Sequence, residues 1–100
     1  MGSEKAYETK IKNYLKSKGI YYFKMYGCAA TKAGVPDLIC CINGRFVGIE
    51  VKAEKGRVSP LQKINIEQIQ SCGGIALVSY PDEFGSLTEI IEGILNERID

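Results

Sequence analysis

The sequence predicts a mixed α/β domain from three observations. They are an amphipathic stripe near the N-terminus, two apolar runs joined by Asn43-Gly44, and a capped helix followed by a short apolar strand. Taken in order, the segments give α-β-β-β-α-β-α, a central mixed sheet flanked by helices.

Tyr7, Ile11, Tyr14 and Leu15 recur at i, i+4, i+7 and i+8, so a first helix starts near Ser3 or Glu4, runs to Lys18 and stops at Gly19. Tyr21-Tyr22-Phe23-Lys24-Met25 is rich in aromatics and reads as a strand, and 27–36 is a loop of small and polar residues. The runs 38–42 and 45–52 flank Asn43-Gly44, a dipeptide that tolerates the positive φ angles of a two-residue hairpin turn. Residues 53–58 are charged and loop-like. Ser59-Pro60 then supplies an N-cap and a first-turn proline for a helix reaching about Cys72, which Gly73-Gly74 end. Residues 75–80 form a buried strand, and Pro81-Asp82 turn the chain into a last helix near 87–96.

One hundred residues at 45% apolar suit a single domain spanning 1–100. No apolar run approaches the roughly 18 residues of a membrane span, and the polar N-terminus lacks a signal-peptide core, so a cytoplasmic protein is expected. Cys28, Cys40, Cys41 and Cys72 show no C-x-x-C spacing and read as buried small apolar residues. The absence of histidine removes Ser-His-Asp triads, Cys-His pairs, His-ligated zinc and histidine bases together. Catalysis must then rest on carboxylates, lysines, hydroxyls or thiols. Net charge is +1, but residues 1–57 hold eleven Lys/Arg against five Asp/Glu, while residues 58–100 hold two against seven. Such a split is compatible with a polyanion docking on one side.

With Asn43 and Gly44 as the turn, Ile42 faces Arg45, and counting outward brings Asp37 opposite Glu50. Directly opposed side chains hold their Cβ atoms about 4.5–5.5 Å apart, where like charges destabilise a sheet. A cation between them removes the conflict. Period-2 alternation puts Lys52 on the face of Glu50, together with Ile39, Cys41, Phe46 and Gly48. Leu38, Cys40, Ile42, Val47, Ile49 and Val51 fill the other face, so the sheet is expected to be buried on both sides. Charged groups are rarely kept in such surroundings without pairing or a metal.

Two close carboxylates with carbonyl and water oxygens suit Mg²⁺ or Mn²⁺ rather than zinc. Such an ion acidifies a bound water and polarises a phosphoryl oxygen, while Lys52 orients the water or neutralises developing charge, as phosphodiester hydrolysis requires. A structural ion pair of Lys52 with Glu50 or Asp37, with Asp37 a turn residue after Pro36, accounts for each residue singly. Register, spacing and shared face together favour the metal site.

Gly34-Val35-Pro36-Asp37, Glu50-Val51-Lys52 and Gln62 resemble the signature of the PD-(D/E)xK nucleases, most closely the VRR-NUC (virus-type replication-repair nuclease) domains. The resemblance extends over nearly the whole chain and implies a restriction-endonuclease-like core. It implies Asp37 and Glu50 as metal ligands, the backbone carbonyl of Val51 as a further one, Lys52 as the catalytic lysine and Gln62 beside the active site. Glu8, at the edge of the apolar stripe, resembles the acidic residue of the family's first helix. Glu4 competes for that role, although the helix dipole also explains a first-turn acid. Ser59-x-x-Gln62 is at the same time a capping box. Lys32, Lys55 and Arg57, in loops flanking the motif, are the expected phosphate contacts.

The resulting expectation is a Mg²⁺- or Mn²⁺-dependent DNA endonuclease of replication and repair, acting on branched or structured DNA of the Holliday-junction or flap type. A homodimer is expected, as similar resolvases form. The alternative is a catalytically silent nuclease-like module that binds DNA without cutting it.

Overall fold

The computed structural model describes residues 3–27 and 32–98; the expectation for Cys28 lies outside them. The elements are α1 (Ser3–Ser17), β1 (Tyr21–Lys24), β2 (Leu38–Ile42), β3 (Arg45–Val51), α2 (Pro60–Ser71), β4 (Ile75–Ser79), a 3₁₀ turn at Pro81–Glu83 and α3 (Phe84–Leu95). This is the α-β-β-β-α-β-α order expected. The four strands form one mixed sheet in the order β1-β2-β3-β4. β1–β2 and β2–β3 are antiparallel, and β3–β4 is parallel because α2 carries the chain back across the sheet. Among the described residues, no helix is long and apolar enough to cross a membrane.

Local chemistry fixes the element ends. Gly19 takes φ +69° and lets the Ile20 amide reach back to the Leu15 carbonyl at 3.0 Å, closing α1. Gly73, at φ +92°, does the same for α2, with the Gly74 amide bonded to Ile69 O at 2.9 Å. In the hairpin turn, Asn43 and Gly44 take φ 52° and 79°, so Ile42 pairs with Arg45 as the two-residue loop demands. The Asn43 side chain also donates to the carbonyls of Ile94 (3.1 Å) and Glu97 (2.8 Å), tying the turn to the end of α3.

α1 and α3 cover one face of the sheet. Tyr7, Ile11 and Leu15 meet Leu87, Ile91 and Ile94 across Leu38, Cys40, Ile42, Val47, Ile49 and Val51 in one apolar cluster. The opposite face departs from the expected burial on both sides. α2 packs Ile69 near Gly48 and Gly74 and leaves much of β1–β2 uncovered, so Tyr21, Phe23, Cys41 and Phe46 are exposed. The cysteine expectation is corrected accordingly, since Cys40 is buried but Cys41 and Cys72 are exposed. The last helix also starts earlier than expected. Phe84 sets its ring edge-on to Tyr7 and Tyr14, and this packing draws Gly85 and Ser86 into the helix against their low propensity.

Candidate active site

The motif residues gather at one end of the sheet, where β1, β3 and β4 finish and β2 begins. Asp37 stands one step before β2. Its carbonyl accepts from the Met25 amide at 2.7 Å, and its Oδ2 accepts from the Val51 amide at 2.8 Å, taking over from the ladder as β3 ends. The preceding residues explain why it is held there. A Cβ on Gly48 would lie 2.8 Å from Pro36 Cγ, so only a glycine in β3 lets the buried Pro36 seat on the sheet. Gly34, at φ +83°, lies so close to α2 that a Cβ would come within 2.8 Å of Asn65 Nδ2 and Leu61 Cγ. Asn65 in turn donates to the Ala33 carbonyl at 3.2 Å.

Glu50 is only 2% exposed. The β2–β3 register runs from Ile42↔Arg45 to Leu38↔Ile49, so Asp37 falls opposite Glu50 at the next step. Glu50 Oε2 is held by Lys52 Nζ at 3.1 Å and by Gln62 Nε2 at 2.8 Å. Oε1 is buried without a hydrogen-bond partner. Burial, and then the charge of Asp37, push the Glu50 carboxyl up to about 7 despite Lys52. Lys52 is buried too, with its amide bonded to Ser79 O at 3.0 Å. The turn 53–56 lies over its stem, since a Cβ on Gly56 would come within 3.3 Å of Lys52 Cδ.

Gln62 fills both positions that its sequence context allowed. In the capping box, Gln62 N donates to Ser59 Oγ at 3.1 Å, and Ser59 N donates to Gln62 Oε1 at 2.9 Å. The same Oε1 accepts from Lys52 Nζ at 2.8 Å while Nε2 donates to Glu50. Glu50, Lys52 and Gln62 therefore form a closed triangle of hydrogen bonds on the sheet end.

The other expected residues stand outside this triangle. Glu8 is buried and paired, with Lys24 Nζ 2.6 Å from Oε1 and Lys12 Nζ 3.4 Å from Oε2, whereas Glu4 is exposed. Lys32 is exposed and donates to Gln68 on α2 at 3.3 Å. Lys55 and Arg57 are exposed on the loop after β3. Lys24 is the residue that the sequence reading overlooked. It pairs with Leu38 and so shares the face covered by α1, where a charge needs a partner, and Glu8 provides one. Burial opposes its charge, but Glu8, Asp37 and Tyr26 outweigh that and raise its pKa.

Among the described residues, no three or more His, Cys, Asp and Glu side chains cluster as a metal site. The candidate is the pair Asp37 and Glu50. It is a fitting pair for a hard cation, because two carboxylates meet there and one buried oxygen, Glu50 Oε1, lacks any donor. A cleft of about 240 Å³ lined by Met25, Gly34, Val35 and Asp37 opens beside it.

The family model of the VRR-NUC domain matches residues 5–81. A solved structure described as a VRR_NUC domain protein has a TM-score of 0.75 and 25% identity, and the alignment covers 92% of this chain and 89% of that one. No curated protein matches the chain.

Proposed function

The chain belongs to the VRR-NUC domain family, and on that premise we propose that it is a Mg²⁺- or Mn²⁺-dependent endonuclease acting on branched or structured DNA, such as four-way junctions and flaps. Family membership carries a nuclease-type, DNA-processing function. The observation that supports metal-dependent cleavage best is the buried Glu50, with one oxygen lacking a donor, set against Asp37 and beside Lys52.

Asp37, Glu50 and the backbone carbonyl of Val51 would hold the ion, which supplies Lewis acidity at the scissile phosphate and an acidified water. Glu8, the acidic residue of α1 that resembles the family's first-helix acid, is proposed as a further acid of the site. Lys52 supplies fixed positive charge where the phosphate becomes more anionic. Gln62 holds the Lys52 ammonium in position and so limits how far it can swing. Lys32, Lys55 and Arg57 are proposed to grip the DNA backbone, a role that sets affinity and salt dependence rather than sequence choice.

The test is cleavage of duplex, flap and four-way-junction DNA with Mg²⁺ or Mn²⁺. Wild type should cut a branched substrate, and Asp37→Ala or Lys52→Ala should lower the rate by about 10²-fold or more. Retention of DNA without cleavage by wild type would favour the silent binding module. Equal cleavage by wild type and both variants would remove Asp37 and Lys52 from the chemistry.

The protein is also proposed to act as a homodimer. Exposed Tyr21, Phe23 and Phe46 adjoin an apolar groove of about 500 Å³ lined by Met25, Ile39 and Ile69. Projecting rings beside a recess on one face allow two copies to exchange knob for hole about a two-fold axis.

A further inference from the structure

The cleft of about 240 Å³ between β1 and β2 brings three chemistries together. Its lining includes the carboxylate of the candidate metal pair, Asp37, the ammonium of Lys32 and the ring of Tyr26, with Met25 and Val35 as apolar wall. Gly34 fixes this lining to α2, because it packs where a Cβ would meet Leu61 and Asn65. Tyr26 is 69% exposed, and Lys24 Nζ stands over its ring, 5.6 Å from the centre. So exposed a ring adds little to the core, but it presents an apolar body with a polar tip to whatever enters the cleft. Phe23 and Phe46, the rings of the proposed dimer face, belong to the larger groove.

We propose that this cleft is a base pocket, in which the nucleotide beside the cut bond leaves the DNA stack, lays its base against Tyr26 and brings a phosphate to Lys32. The inference rests on the nuclease reading and deepens it by naming the substrate class: strands with an unpaired nucleotide next to the cut. Continuity with Asp37 puts the pocket beside the bond that would be cleaved. The cleft is smaller than the about 300–1,000 Å³ of sites for drug-sized molecules, which suits a single base. Charge is complementary as well. Lys32 holds Gln68 only at 3.3 Å and in the open, and a phosphate oxygen is the stronger acceptor. Pulling a paired base out of a duplex costs free energy that an unpaired base at a flap or junction does not, so such a pocket selects branched over continuous DNA.

The experiment is binding of a thymidine strand and of an abasic strand of equal length, in Ca²⁺ and with the strands checked to be uncut, by wild type, Tyr26→Ala, Tyr26→Phe and Lys32→Gln. Tyr26→Ala should bind the thymidine strand about 5- to 100-fold more weakly, the range of one base stacked on one aromatic ring, and the abasic strand as wild type does. Tyr26→Phe should keep the preference for bases. Lys32→Gln should weaken both strands alike and lower the salt slope by about one. The second measurement is cleavage in Mn²⁺ of a flap carrying a single abasic nucleotide at successive positions. Wild type should slow when the abasic nucleotide borders the cut bond, and Tyr26→Ala should show no such dependence on position. Equal binding of the thymidine strand by wild type and Tyr26→Ala, an equal loss on both strands, or cleavage indifferent to the abasic position would overturn the pocket while leaving the nuclease reading standing. A Tyr26-dependent preference for bases without cleavage of any substrate would instead sink the nuclease reading and leave the pocket to a binding module.

Discussion

Gln62 uses one amide group for two purposes that mutation can separate. Ser59→Ala removes only the helix cap and should cost about 0.5–2 kcal/mol in a denaturant melt, with cleavage little changed. Gln62→Ala removes the cap contact and also the bonds to Lys52 and Glu50, so it should lower cleavage by tenfold or more at a similar cost in stability. Comparable activity in the two variants would show that Gln62 matters only as a cap. Glu50 offers a second measurement. Its carboxyl is raised from 4.5 to about 7 by burial and by Asp37, so the folded protein binds this proton more tightly than the unfolded chain does. The stabilisation is complete below about pH 4.5 and is lost as pH rises through about 7. The metal-free protein should therefore lose on the order of 1–3 kcal/mol between pH 5 and pH 8, and Glu50→Gln should flatten that slope. A stability that climbs over this window would contradict the sign. The facing of Asp37 and Glu50 was legible in the sequence because a two-residue turn leaves no freedom in the count. The pairing of Lys24 with Glu8 was not, because it joins a strand to a helix through packing that local pattern does not encode.

At the scale of elements, β3 is shaped by what it lacks. Gly48 makes room for Pro36, and Pro36 delivers Asp37 to the end of the hairpin. Gly48→Ala should cost about 1–3 kcal/mol by overpacking, and cleavage should fall further than the added unfolding explains, because the displaced Pro36 carries Asp37 with it. A loss of activity that merely tracks stability would argue against this coupling. The first helix, the hairpin and the capped second helix were legible because each carries its own start or stop: Gly19, Asn43-Gly44, and Ser59-Pro60. The beginning of α3 was not. It depends on Phe84 finding Tyr7 and Tyr14 on α1, a contact between the two ends of the chain.

For the whole molecule, the consequential feature is the unequal cover of the sheet. α1 and α3 bury one face, and the other keeps exposed aromatics beside a groove. Alternation along the strands predicted apolar residues on both faces, but alternation does not say how much surface one helix can cover. If that face joins two copies, light scattering of wild type should give a dimer mass, and Phe23→Asp with Phe46→Asp should give a monomer that keeps its helical and strand content. A wild-type monomer at micromolar concentration would contradict the proposed assembly.

The triangle of Glu50, Lys52 and Gln62 also ties the geometry of the candidate site to the most easily opened part of a helix. The first turn of α2 ordinarily frays on its own, yet here fraying would withdraw the donor and acceptor that hold Glu50 and Lys52. The winding of that turn and the assembly of the site are thus a single cooperative event. A charge placed correctly at the sheet end stiffens the entry to α2, so the bonds of Gln62 to Lys52 and Glu50 keep that turn wound even where the Ser59 cap is lost.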